Sequence, residues 1–202
     1  MELITFNLSS AHLCGTAFHD FLALRKRHFV DTLNWDIPHD DAVEMDQYDT
    51  PLAWYSCVRL KDKIIGGARI MPTNARWGAH GYMLGDAYQG RIPGIPRTAL
   101  PHMIQKRSVW ECTRLVIDPS LADPTARSFC LELICNGLVG IAQSHGASEL
   151  ITLTRLPLMR TLRGLGFDVS LIGRPYVSEE DRHTYAVMGM PAIMSRPALA
   201  AE

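Results

Sequence analysis

The stretch from residue 108 to residue 154 constrains the fold more than any other. Ser108 to Ile117 is rich in β-branched and apolar residues and stops at Asp118-Pro119, which reads as a strand. Pro124 to Ser144 follows, with Phe129, Leu133, Ile134, Leu138 and Ile141 recurring near the period of a helix and Gly146 as its stop. Glu149 to Thr154 is strand-like again. The alternation extends outwards. Met1 to Leu8 reads as a first strand and Thr16 to Phe29 as an amphipathic helix with a basic end at Arg25, Lys26 and Arg27. Leu52 to Leu60 and Lys63 to Met71 flank Lys61-Asp62-Lys63 as a hairpin. Pro157 to Arg163 is a short basic helix with proline at its start, and Thr184 to Met190 a last strand. Helices interleaved with strands that include a hairpin predict an α/β sandwich with a mixed sheet. Residues 73–105, rich in Gly and Pro, read as a long, partly mobile excursion. The tail from Met194 to Glu202 reads as frayed. No repeat or composition shift marks a boundary, so one domain over residues 1–202 is expected.

Composition narrows the function. With 47% apolar and 20% charged residues among 202, the chain has the profile of a folded protein with a sizeable core. Twenty basic against twenty-one acidic side chains argue against a general nucleic-acid binder, which carries a large basic surplus. Five cysteines, at 14, 57, 112, 130 and 135, form no C-x-x-C pair, and the eight histidines form no H-x-x-x-H pair. Reduced thiols and no structural metal are expected. Met1 to Phe6 has no basic leader, and no uninterrupted apolar stretch reaches the roughly 18 to 20 residues of a membrane span. A cytoplasmic protein without membrane insertion is the expectation. Gly66-Gly67 and Gly164-Leu165-Gly166 lack the spacing of a dinucleotide fingerprint, and there is no P-loop.

Two charge features remain. Residues 31–50 hold seven acids and no Lys or Arg, with Trp35 and Tyr48 interleaved. Such a run is a solvated loop or an acidic site; composition allows both. Arg69 and Glu111 interrupt strands that are otherwise apolar. Charges there are paired, as a structural ion pair or as part of a site.

The run Leu24-Arg25-Lys26-Arg27-His28-Phe29-Val30-Asp31-Thr32-Leu33-Asn34-Trp35 resembles the start of the LuxI-type acyl-homoserine-lactone synthases. So do Glu44-Met45-Asp46-Gln47-Tyr48-Asp49, Gly67-Ala68-Arg69 and Trp110-Glu111-Cys112-Thr113-Arg114, in the same order over residues 1–190. The family's invariant positions fall on Arg25, Phe29, Trp35, Asp46, Asp49, Arg69, Glu111 and Arg114. One position departs: the family usually has Phe after a Met-Leu pair, where Met83-Leu84 is here followed by Tyr88.

The resemblance implies a GNAT-like three-layer αβα sandwich with a central mixed, splayed sheet. It implies transfer of an acyl group from acyl-acyl-carrier-protein to the amine of S-adenosylmethionine, then lactone closure with release of methylthioadenosine. S-adenosylmethionine is a co-substrate here, and no tightly bound cofactor is expected. Its sulfonium, ammonium and carboxylate suit a pocket of acids and arginines. Glu111 is the expected general base, with Asp46 as second choice and Arg69 as a catalytic partner. Arg25, Phe29, Trp35, Asp49, Tyr88 and Arg114 are expected to bind substrate. Met103, Leu115, Leu138, Thr152, Leu153 and Thr154 are candidates for the acyl pocket, each also readable as core. An acidic carrier calls for a basic docking face, and Arg160 and Arg163 on the short helix are the candidates. Two rivals are an acyltransferase of the same fold using acyl-CoA and a non-catalytic binding module. Against the first, Asp118 to Pro124 lacks the Q/R-x-x-G-x-G/A turn that receives a pyrophosphate at a helix start.

Overall fold

A computed structural model describes residues 1–179 and 181–194. The tail expected to fray lies outside the described residues from position 195 on. The chain folds as two compact units, one of Met1–Ile70 and Thr113–Ile141, the other of Met71–Cys112 and the described chain from Ala142.

In the first unit, β1 (Glu2–Asn7) pairs antiparallel with β2 (Trp54–Leu60), and β2 with β3 (Lys63–Pro72). The β2–β3 turn is tight enough to hold Lys61 at a φ of 55°. The second half of β4 (Val109–Ile117) also belongs here. Helix α1 (Ala17–Arg25) packs Phe21 and Leu24 into a core with Phe6, Tyr55, Cys57, Ile64 and Val116. The helix expected to reach Phe29 changes type at Arg25 and runs on as a π-helix over Lys26–Thr32.

Most of α3 (Pro124–Ser144) lies on this unit's strands. Approach is close because glycine faces it: a Cβ on Gly66 would sit 3.0 Å from Cys130 Sγ and Ile134 Cδ1. On the helix side, Gly137 leaves room for Ser56, whose hydroxyl donates to the Ile134 carbonyl at 2.9 Å. By length and composition alone α3 is apolar enough to cross a membrane, which its interruption by Arg127, Glu132 and Asn136 obscures in the sequence; half of its most apolar stretch is buried in the protein.

In the second unit, β4 pairs in parallel with β5 (Glu149–Arg155) over Val109–Glu111, and β5 pairs antiparallel with β8 (Thr184–Pro191) along its whole length. The short strands β6 (Ser170–Leu171) and β7 (Tyr176–Val177) also pair with β8. The strand order is β1-β2-β3-β4 in the first unit and β4-β5-β8-β6 in the second, and the parallel β4–β5 pair among antiparallel ones gives the mixed sheet expected. Helix α4 (Leu156–Gly164) has Pro157 in its first turn. The excursion over residues 73–105 carries a six-residue helix, α2 (Met83–Tyr88), that its weak periodicity conceals. It is fastened at several points: Thr73 Oγ1 donates to the Lys106 carbonyl at 2.9 Å, and the Tyr82 hydroxyl donates to the Ile104 carbonyl.

Candidate active site

The acidic run divides in two. Asp36, Asp40 and Asp41 are exposed, as in a solvated loop, and Asp31 is exposed on the π-helix, 3.0 Å from Lys26 Nζ. From Glu44 the segment alternates: Glu44, Asp46 and Tyr48 are buried while Met45 and Gln47 face out. Asp49 then turns inwards, its N–H donating to the Asp46 carbonyl at 3.1 Å.

Three guanidiniums from separate elements meet these acids. Arg25, the last residue of α1, donates Nε to Glu44 Oε2 at 2.6 Å and both terminal nitrogens to the two oxygens of Asp49 at 2.8 Å. Arg69, from β3, grips both oxygens of Asp46, stands 2.9 Å from Asp49 Oδ1 and donates Nε to Thr113 Oγ1 at 3.0 Å. Arg114, from β4, lies 2.8 Å from Asp46 Oδ2 and 3.2 Å from Glu44 Oε1. The Tyr55 hydroxyl completes the shell by donating to Asp49 Oδ1 at 3.0 Å.

A strand normally sends successive side chains to opposite faces. Here consecutive Thr113 and Arg114 both serve the cluster, because Arg114 takes a left-handed φ of 57° within β4. That conformation costs a non-glycine residue about 1–2 kcal/mol. Strain of this kind persists where the surroundings hold it, and here two carboxylates do so.

Burial opposes charge on Arg25, Asp46, Asp49 and Arg69, and the opposite charges prevail. Desolvation pushes Asp49 up, yet Arg69 and Arg25 hold it far below the usual carboxylate range. Desolvation likewise works against Asp46, and Arg69 and Arg114 still lower it. Burial disfavours the Arg25 and Arg69 cations, while Asp49 and Asp46 raise both above the ordinary arginine value. By count, three guanidiniums face three carboxyl groups. Asp46, the second choice for a base, is instead an anion locked between two guanidiniums and a poor proton acceptor.

The cluster has an accessible edge. The side chains of Arg25, Glu44, Asp49 and Arg69 are fully buried, whereas that of Arg114 is 10% exposed. Arg114 lies over the Phe29 ring at 5.6 Å, and Phe29 stacks on half-buried Trp35 with centroids 5.0 Å apart. The π-helix produces this stack. Asn34, at a φ of 54°, closes the helix as a left-handed cap, and the Trp35 N–H donates to the Phe29 carbonyl at 2.9 Å.

Glu111 belongs to the second unit. It is fully buried, and its two oxygens accept the backbone N–H groups of Met83 and Leu84, each at 2.8 Å. The Asp46–Arg69 pair is formed within the first unit, and the described bonds of Glu111 go to α2 within the second. Tyr88 is the half-buried last residue of α2. The acyl-pocket candidates fall in both units. Leu115 and Leu138 lie in the first, half-buried and buried. Met103, Thr152, Leu153 and Thr154 lie in the second, all half-buried. Arg160 and Arg163 are exposed on α4, but Arg163 already donates Nε and Nη2 to the Val169 carbonyl at 2.9 and 2.6 Å.

Sequence reasoning left out Glu44, Tyr55 and Thr113 as site members. Glu44 had a signal: it shares the two-residue alternation of Asp46 and Tyr48. Nothing local distinguishes Tyr55 or Thr113 from ordinary strand residues.

Comparison with known proteins identifies the family. The family described as "Autoinducer synthase" matches residues 10–195. An acyl-homoserine-lactone synthase of Acinetobacter nosocomialis is 30% identical over 166 residues, spanning 78% of this chain and 84% of that protein. Among solved structures, TofI in a ternary complex with an inhibitor and MTA superposes with a TM-score of 0.73 at 22% identity, covering 95% of this chain and 92% of that one. BjaI, a CoA-dependent acyl-homoserine lactone synthase solved with SAM and isopentyl-CoA, gives 0.74 at 16% identity over 95% and 83%. These likenesses place the fold in the GNAT-like α/β class, and with the family match over nearly the whole sequence, the chain belongs to the autoinducer synthases.

Proposed function

We propose that the chain makes an acyl-homoserine lactone from S-adenosylmethionine and an acyl group carried on acyl-carrier protein. The observation that carries this reading is the edge of the buried cluster, where Arg114 and the Phe29–Trp35 stack lie side by side. A guanidinium pairs with the carboxylate of S-adenosylmethionine, and an aromatic wall suits its adenine and sulfonium. Arg25, Glu44, Asp46, Asp49 and Arg69 stand behind that edge and fix Arg114 in place. They neutralise one another, so they act as framework more than as direct ligands.

The reaction needs two bonds made and two broken. The neutral amine attacks the thioester carbonyl; the C–N bond forms, the C–S bond breaks, and the thiol leaves with the proton from nitrogen. The carboxylate oxygen then attacks Cγ, and the sulfonium departs as neutral methylthioadenosine. This second step asks for folding of the methionyl chain, which is proximity catalysis. An α-amine titrates at about 7.7–8.0, so roughly a tenth of it is already free at pH 7.

The choice of a carrier-tethered donor rests on the start of α3. Asp123 Oδ2 accepts the Ala126 N–H at 2.7 Å, and Pro124 has no N–H, so the helix start that would receive a CoA pyrophosphate is capped from within. BjaI uses CoA on the same fold, which makes the donor a direct experimental question. The reading places the reaction in the cytoplasm, where both substrates are made. The test is incubation of purified protein with S-adenosylmethionine and either acyl-carrier thioesters or matched acyl-CoAs, with lactone and methylthioadenosine measured by mass spectrometry. Lactone from the carrier thioester at much lower donor concentration is expected. A folded protein that yields lactone from neither donor overturns the reading, and preference for CoA overturns the choice of donor.

A further inference from the structure

We propose that Glu111 is a positioning residue that fastens α2 to the sheet, and that it does not serve as the base for the amine; this deepens the synthase reading and rests on it. A six-residue helix has almost no stability of its own, and the N–H groups of its first turn lack partners within the helix. In α2 the residue at the cap is Tyr82, extended at φ −108° and ψ 158°, and it makes no side-chain cap bond. The partners come from β4, 27 and 28 positions away: Glu111 Oε1 takes the Leu84 N–H and Oε2 takes the Met83 N–H, both at 2.8 Å. A buried carboxylate across the first turn also meets the positive end of the helix.

The anchor has consequences along α2. Asp86, buried in its middle, holds His80 Nδ1 at 3.0 Å and Arg91 Nη1 at 3.3 Å. With Tyr82, Gly85 and Met103, Asp86 lines a small open cleft. The helix ends at Tyr88. Releasing Glu111 therefore shifts one wall of that cleft and the aromatic residue expected to meet substrate.

The same geometry argues against a base. Each oxygen already accepts a backbone donor at 2.8 Å, so both are engaged in holding the first turn. Taking up the amine's proton would weaken both bonds and loosen α2 in mid-reaction. The amine, with its own ionisation near neutrality, needs no strong acceptor beyond water.

The test combines pH–rate profiles between pH 6 and 9 with amide hydrogen exchange, on wild type, Glu111→Gln and Met83→Pro. Glutamine offers one acceptor oxygen and turns an amide N–H toward a backbone N–H. Proline at the first helical position keeps the helix geometry but removes one donor while leaving the carboxylate intact. Glu111→Gln is expected to lower kcat/KM about tenfold to a hundredfold, chiefly through KM, with the apparent ionisation midpoint unchanged and faster exchange at Met83 and Leu84. Met83→Pro is expected to raise KM by a smaller factor at the same midpoint. The proposal is overturned if Glu111→Gln loses the ionisation from its profile, or if it collapses kcat with exchange at Met83 and Leu84 as in wild type. It is equally overturned if Met83→Pro leaves KM untouched, a result that stands even if Glu111→Gln does not fold. Absence of lactone from wild type refutes the synthase reading instead, and the exchange measurement still decides the anchor.

Discussion

Arg25 and Asp49 face each other fork to fork, with two parallel bonds of 2.8 Å between side chains fully shielded from water. The pair ties the end of α1 to the loop before β2, and Arg25 reaches Glu44 with its remaining nitrogen. Breaking one side of a buried pair leaves the other charge stranded, which costs about 3–5 kcal/mol. Arg25→Ala is expected to lose stability in that range in urea unfolding, and Arg25→Lys to lose a smaller amount, because it keeps the charge although an ammonium cannot bridge both oxygens. A loss below about 1 kcal/mol for Arg25→Ala would mean that water reaches the pair.

The acids of the cluster set the response to pH. Asp46 and Asp49 both have folded pKa values below their unfolded ones, despite burial, because Arg69 and its neighbours stabilise the anions. A depressed carboxylate contributes stability that is fully present above its unfolded value near 3.9 and is lost as pH falls through the folded value. Melting temperature is therefore expected to stay level from about pH 7 to pH 5 and to drop steeply below about pH 4. Asp49→Asn is expected to start lower at pH 7 and to fall less on acidification. An equally steep fall in that variant would place the acid-sensitive groups elsewhere.

Strands and the long helix were legible because apolar residues recur through them and turn residues bound them; β1, the β2–β3 hairpin, β4, α3, β5 and β8 all lie where the pattern puts them. α2 escaped because its order comes from Glu111, a residue far along the chain, and no local pattern encodes that. The site was half legible. Arg69 and Glu111 stood out as charges inside apolar strands, yet sequence could not say that they take different partners. Among the acids of residues 31–50, the alternation from Glu44 to Tyr48 is the one local signal, and burial is what separates Glu44, Asp46 and Asp49 from their exposed neighbours. Trp35 meets Phe29 through a π-helix and a left-handed Asn34, and six-residue spacing on a regular helix would have pointed the two rings apart.

Arg114 separates backbone strain from side-chain function. Its φ of 57° suits glycine, so Arg114→Gly is expected to be more stable than Arg114→Ala by about 1 kcal/mol. Both variants lose the guanidinium beside Phe29 and Asp46, and both are expected to lose lactone synthesis. Denaturation midpoints rank the two variants, and product mass spectrometry reads the activity. If Ala proves the more stable, the left-handed backbone at position 114 is not retained without the arginine.

Arg160 and Arg163 share α4 but differ in employment. Arg163 bonds the Val169 carbonyl and thereby holds the turn after the helix, whereas Arg160 is exposed, with no bond described for its side chain. If α4 docks an acidic carrier, Arg160→Glu raises KM for the carrier thioester with kcat unchanged. The effect shrinks at about 0.5 M salt, where exposed charges are screened within a few ångströms. Arg163→Gln is expected to cost about 1 kcal/mol of stability through the lost carbonyl bonds, with a smaller change in KM. An Arg160→Glu enzyme with wild-type KM at low salt moves the docking face away from α4.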